Sequence, residues 1–209
     1  RPSRAQRPTA GIKARCQKLF AKENLIPWCV VPFDAGKRGP RQRAEMLRRL
    51  GFSKLAYDWR AEHVATFEEE ILELRRNGIE FAVFWSEHPE MFSLFEKHGI
   101  APQVWRTPPS PTEGTQEEKV EAAARALLPL VERTAQLGCK LGLYNHGGWS
   151  GEPENLVAVT RWLREHAHAD HVGIVYNFHH AHEHIHDFAA VLDQMRPYLL
   201  CLNLNGMNP

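Results

Sequence analysis

No apolar run in this chain approaches the roughly 20 residues that cross a bilayer, so no membrane span is expected. The first residues lack the apolar core of a secretory signal, the chain begins at Arg1 rather than Met, and a cytoplasmic location is the expectation. No C-x-x-C pair links Cys16, Cys29, Cys139 and Cys201. Cys29, Cys139 and Cys201 sit in or beside apolar runs, where a free thiol behaves as a small hydrophobe; a reducing compartment fits. Large net charge is lacking too. The balance of +1 gives no global field to recruit nucleic acid or an anionic membrane. Acids are missing only locally: residues 1–22 carry Arg1, Arg4, Arg7, Lys13, Arg15, Lys18 and Lys22 and no Asp or Glu. Residues 1–24 are expected to form a basic, solvated segment with a short surface helix.

What is present is an ordinary globular composition, 43% hydrophobic and 24% charged over 209 residues. That length buries one good core, and residues 25–209 are expected to form one α/β domain. Apolar, strand-like runs recur at 25–33, 54–59, 80–85, 103–106, 140–144, 172–176 and 198–204. Between them, 41–50, 67–76, 91–97, 117–137, 153–165 and 185–195 read as helices. Thr66, with Glu69 three residues on, suggests a capping box. Ala122, Leu127, Leu130, Val131 and Ala135 mark the apolar face of the longest helix. The Pro-rich stretch 107–114 is a loop, since the alternation resumes after it.

Seven strand-like runs alternating with six helices over short connections point to a parallel sheet with helices outside. Near-continuous apolar strands such as VGIVY and FAVFW suit burial on both faces. A closed barrel and an open doubly wound sheet both satisfy this. No glycine-rich phosphate loop follows the first run, which weighs against the dinucleotide-binding version of the latter. The expectation is a (β/α) TIM-type barrel. Such a barrel has eight strands, so the eighth β/α unit is expected to be missing from this chain, with an open seam that a second chain could complete.

Polar and aromatic residues collect where each run ends, the place where parallel α/β folds build sites. The ends read Phe33-Asp34, Tyr57-Asp58-Trp59-Arg60, Trp85-Ser86-Glu87-His88, Trp105-Arg106, Tyr144-Asn145-His146-Gly147-Gly148-Trp149, Asn177-Phe178-His179-His180-Ala181-His182 and Asn203-Leu204-Asn205-Gly206. A lone Asp after a strand is ordinarily a helix cap, and a lone Trp ordinarily core. Their repetition suits a polyhydroxylated ligand: rings pack on C–H patches while polar groups bond hydroxyls. The tract 179–186 holds five histidines, and imidazoles bind transition metals and move protons near neutral pH. His182 and His186 would share a face if a helix has begun there. His184 and His186 read as surface residues, and His146 and His180 as functional ones.

The runs LGLYNHGG, GEPENL, VGIVYNFHHAH and LLCLNLNG, in that order, resemble the xylose-isomerase-like barrel superfamily of sugar isomerases and epimerases, which includes an apurinic endonuclease branch. The resemblance implies a divalent metal held by a Glu ending strand five, an Asp ending strand six, a His ending strand seven and a Glu on strand eight. Here those first three positions hold Tyr144, Asn177 and Asn203, while Asn145, His146 and His180 keep the family's accompanying residues. Hard divalent ions want carboxylate oxygen, which Tyr and Asn do not supply. A metal, Zn²⁺ or Mn²⁺, would instead fall to His146, His179, His180 or His182.

The expected activity is proton abstraction next to the carbonyl of a sugar or sugar acid. His180 and His146 are the acid/base pair and Glu87 a second base. Asn145, Asn177, Asn203 and Tyr144 are placed against the substrate, Arg106 against a carboxylate, and Trp85, Trp105 and Trp149 as walls. The alternative is a carbohydrate-binding or scaffold barrel without metal chemistry. A nuclease comes third, and nucleic acid is not the expected partner.

Overall fold

The computed structural model describes residues 10–204. Arg1, Arg4 and Arg7 of the basic segment, and Asn205 and Gly206, lie outside the described residues. The chain condenses into two compact units, one up to Ala82 and one from Val83. Among the described residues no helix is long and apolar enough to cross a membrane.

In the first unit, α1 (Ala10–Leu19) exposes Lys13, Arg15 and Lys18. Asn24 turns its amide back to close the helix, donating to the carbonyls of Lys18 (2.8 Å) and Leu19 (3.2 Å). The strand expected at 25–33 does not form. Pro27 and Pro32 have no N–H to give a ladder, and Cys29 sits at φ +59°, which ends any extended run. One bond of that pairing survives, from the Ala56 N–H to the Pro27 carbonyl (3.0 Å).

Helix α2 (Pro40–Arg49) starts on Pro40, suited to a first helical turn, followed by β1 (Lys54–Tyr57) and α3 (Phe67–Arg76). Ala44, Leu47, Leu55, Phe67, Ile71 and Leu74 are buried. So are Arg43 and Glu70, which form an ion pair. Thr66 does not cap α3: a turn of 3₁₀ helix (Ala61–Thr66) precedes it, and the Thr66 hydroxyl donates backward to the His63 carbonyl (3.0 Å).

Strand β2 (Glu80–Trp85) carries the chain into the second unit. There follow α4 (Pro89–His98), β3 (Gln103–Arg106), α5 (Gln116–Gln136), β4 (Lys140–Tyr144), α6 (Pro153–Ala167), β5 (Val172–Asn177), α7 (Phe188–Met195) and β6 (Leu199–Asn203). Strand order in the sheet is β1-β2-β3-β4-β5-β6, and every pairing from β2 to β6 is parallel. A doubly wound sheet reverses its order at a switch point. This order never reverses. With right-handed crossovers, all helices of such a sheet fall on one side, which is the winding of a barrel. The expected barrel-type fold therefore forms, with six strands rather than seven among the described residues.

Helix α5 opens with a capping box. The Thr115 hydroxyl accepts from the Glu118 N–H (3.3 Å), and the Glu118 carboxylate accepts from the Thr115 N–H (2.7 Å). Its buried face is Ala123, Ala124, Leu127, Leu130, Val131 and Thr134, so Ala122 and Ala135 stand in solvent, against expectation. Thr134 is tolerated inside because its hydroxyl donates to the Leu130 carbonyl (2.8 Å). Gly142 is where the sheet's interior closes up: a Cβ there would lie 2.5 Å from Val175 Cγ2 and 2.9 Å from Trp105 Cδ1. Strand β5 is wholly buried. Strand β6, last in the described order, is half-exposed along Leu199, Leu200, Cys201 and Leu202.

Candidate active site

The parallel register sets Arg106 opposite Leu143, Tyr144 opposite Val175, and Asn177 opposite Asn203. The carboxyl ends of β2 to β6 thus meet on one side of the second unit, and most of the expected site residues meet with them.

Tyr144 is at the centre. Its ring lies edge-on to Trp85 (centroids 4.7 Å) and stacked on Trp105 (6.0 Å). His146 (6.3 Å) and His180 (6.1 Å) also stand beside it. The two imidazoles pack on each other at 4.3 Å, and His179 follows at 5.1 Å from His180. Tyr144 and Trp105 are each only 2% exposed. His146 and His179 are exposed, and His180 and Trp85 half-exposed. The reachable surface is therefore an imidazole pair on an aromatic bed.

The amides lie beneath that surface. Asn145 donates its side-chain amide to the Asn177 carbonyl (2.9 Å), while its own carbonyl accepts from the Asn177 N–H (2.6 Å). Asn177 donates to the Tyr144 hydroxyl and accepts from the His179 N–H (2.8 Å). Asn203 donates to the same Tyr144 hydroxyl at 3.4 Å. All three asparagines are buried and are turned toward the protein rather than the mouth.

To one side, Arg106 donates to the Ser86 hydroxyl (2.8 Å) and faces Glu87 at 3.5 Å. Ser86 holds φ +67°, a rare conformation for a residue with a Cβ, and its N–H is tied to the Trp105 carbonyl (2.7 Å). Glu87 and Arg106 are both partly exposed.

Loop contacts that the sequence did not single out fix the surroundings. Gly147 and Gly148, at φ +76° and +66°, turn the chain after His146 into a short 3₁₀ segment (Trp149–Gly151). There Trp149 donates to Gln116 (3.1 Å), Gln116 to Asn155 (2.5 Å), and Asn155 back to the Trp149 carbonyl (2.7 Å). Ser150 donates to the Pro108 carbonyl (2.8 Å). His184 bridges Glu152 (3.1 Å) and Asp187 (3.3 Å). The GEPENL run contains Glu152 and Asn155, and is the one sequence signal for these ties. The helix that would put His182 and His186 on one face has not begun there: His182–His184 is a 3₁₀ turn, and α7 begins only at Phe188.

The electrostatics differ along the tract. Burial first, then the neighbouring His146 and His179, hold His180 below the ordinary histidine range. Burial pushes His184 the same way, but its bonds to Glu152 and Asp187 outweigh it and the net shift is upward. Among the described residues, no group of three or more His, Cys, Asp or Glu side chains is placed to hold a metal ion. The donors at the strand ends, a phenol and carboxamides, likewise do not fit a hard divalent cation. A hollow of about 690 Å³ in the first unit, flanked by Arg38, Glu45, Arg48 and Arg49, contains none of these residues.

No family model matches the sequence, and no curated protein matches it. Solved structures do. The 3-keto-D-glucoside 4-epimerase of E. coli superposes with a TM-score of 0.61 at 14% identity, over 87% of this chain and 77% of that one. A D-psicose 3-epimerase crystallised in the presence of D-fructose gives 0.58 at 13% identity, over 79% and 67%. A xylose isomerase-like TIM barrel protein from Mycobacterium smegmatis, in complex with magnesium, gives 0.53 at 13%, over 80% and 67%. The chain has the xylose-isomerase-like barrel fold.

Proposed function

We propose that this protein moves a proton between adjacent carbons of a sugar or sugar acid, using His146 and His180 as a coupled base and acid. The observation that carries the reading is the 4.3 Å packing of the two imidazoles on the Tyr144 bed. Two cationic rings at that distance repel, and burial, then the neighbouring imidazoles, hold His180 below the ordinary histidine range. His180 then offers a neutral base, with His146 as its partnering acid.

In this reaction the neutral imidazole takes the proton from the carbon beside the carbonyl. The electron pair of the C–H bond passes to the carbonyl oxygen, and the protonated imidazole supplies a proton to that oxygen. The second imidazole, now neutral, then takes the hydroxyl proton from the carbon that lost its hydrogen, that O–H electron pair closes the new carbonyl, and the first imidazolium returns its proton to the adjacent carbon, which completes an isomerisation. Rings this close cannot stand on opposite faces of a substrate, which supports transfer across one face over two-base inversion. Half-exposed Trp85 offers a wall, Glu87 a second base, and Arg106 a partner for a carboxylate or hydroxyl. The sugar epimerases among the structural neighbours support the substrate class through the shared fold alone.

The test is solvent exchange. Wild-type protein incubated in D₂O with a panel of ketoses, aldoses and aldonic acids is expected to wash out the proton next to the carbonyl of one member, read by NMR. His180→Ala should reduce the rate at least about 100-fold, the usual contribution of a positioned acid or base. The wild-type rate should climb with pH through a value below the ordinary ~6.5 of histidine. Undiminished exchange in His180→Ala ends the proposal. Saturable sugar binding without exchange by the wild type favours the carbohydrate-binding alternative.

A further inference from the structure

We infer that the hydrogen-bonded set Tyr144, Asn177 and Asn203 stands in the place of a divalent cation at the barrel mouth, and that this position takes none. The three residues come from the ends of β4, β5 and β6, the positions to which the family resemblance assigns a Glu, an Asp and a His. Such ligands converge on a metal. Their replacements converge on one another: the Tyr144 hydroxyl accepts from both the Asn177 and Asn203 amides.

Chemistry excludes a hard cation here. The two amide N–H groups that meet at the Tyr144 hydroxyl present positive charge where an ion needs lone pairs. The Asn177 carbonyl oxygen, which could be a ligand, is already taken by the His179 N–H at 2.8 Å. Exposure agrees, since Tyr144 and Asn177 are each 2% exposed and Asn203 7%, so the three side chains face one another rather than solvent.

The set takes over the structural half of a metal's task. A cation ties strand ends together; here the ties are the paired Asn145–Asn177 bonds and the two amides on Tyr144. Because the Tyr144 ring touches both His146 and His180, the same set positions the imidazole pair. Tyr144, Asn177 and Asn203 are thus positioning residues. The claim about the cation stands apart from the proton-transfer reading, because its readout is metal binding.

The experiment is a Mn²⁺ titration followed by electron paramagnetic resonance and calorimetry. Wild type is expected to show no saturable site sensitive to these residues. Tyr144→Glu/Asn177→Asp/Asn203→His, which restores the three donors that the resemblance places at the ends of β4, β5 and β6, is expected to bind about one Mn²⁺ per chain. Tyr144→Glu/Asn203→His, expected to bind more weakly, is carried alongside in case the triple variant does not fold by circular dichroism. A saturable wild-type Mn²⁺ site that disappears in Asn177→Ala or Asn203→Ala overturns the inference. So does a folded triple variant, or a folded double variant, that takes up no Mn²⁺.

Discussion

At the scale of single residues, Gly142 and the strand-end amides show how little room the site leaves for substitution. Gly142→Ala would drive a methyl to within 2.5 Å of Val175 and 2.9 Å of Trp105. Val175 lies in a wholly buried strand and Trp105 is itself buried, so neither can simply swing aside. Overpacking of this kind costs about 1–3 kcal/mol, and the variant should lose that much in urea unfolding. Trp105 also stacks on Tyr144, so its displacement should carry into the imidazole pair. An unchanged unfolding midpoint would mean that the sheet relaxes more freely than its packing suggests. That His146 and His180 would come to neighbouring strand ends was legible in the sequence, because each follows a buried apolar run within three residues. The direction of the asparagine side chains was not legible: a carboxamide serves a ligand or a neighbouring backbone equally well, and only tertiary geometry decides.

Elements were more legible than their boundaries, and for identifiable reasons. Helix α3 and strands β2, β3 and β4 fall where hydrophobic period and stop signals put them. The run 25–33 failed because its apolar content hid two prolines and a residue at positive φ. Helix α5 was found but its face was rotated, since a self-bonded Thr134 takes an interior position that a period count assigns to alanine. Its start depends on a local device. Removing the Thr115 hydroxyl (Thr115→Ala) breaks the capping box and should cost about 1 kcal/mol, measurable as a lower denaturation midpoint. Thr115→Ser, which keeps the acceptor, should retain most of that stability. Gln116, the next residue, donates to Asn155 and accepts from Trp149, so fraying there should also loosen the loop after His146.

For the molecule as a whole, histidine titration sets how stability follows pH. Burial, the largest cause in each case, holds His63, His171 and His180 below the ordinary histidine value. Each binds its proton less readily folded than unfolded, so each contributes stability that is present above ~6.5 and lost as pH falls through its lowered folded value. His184 runs the other way. Its folded value is raised despite burial by Glu152 and Asp187, so its contribution is complete below ~6.5 and lost as pH rises through the raised value. With three groups against one, chemical denaturation across a pH series should show a net decline in stability as pH drops below the ordinary histidine range. His184→Asn, which cannot gain a proton, should remove the rise in stability that accompanies a fall in pH toward ~6.5 and leave the decline below that value in place. An unaltered profile above ~6.5 in the variant would mean that the bridge to Glu152 and Asp187 does not persist in solution.

The unbroken strand order of the sheet also bears on how the polypeptide reaches this state. Each strand from β3 onward docks against the one just before it in the chain, after an excursion of a single helix and its loops. Among the described strands no pairing waits for a distant one, so the search for each partner stays short. A chain leaving the ribosome can therefore add one β/α repeat at a time to a growing edge, and assembly can keep pace with synthesis.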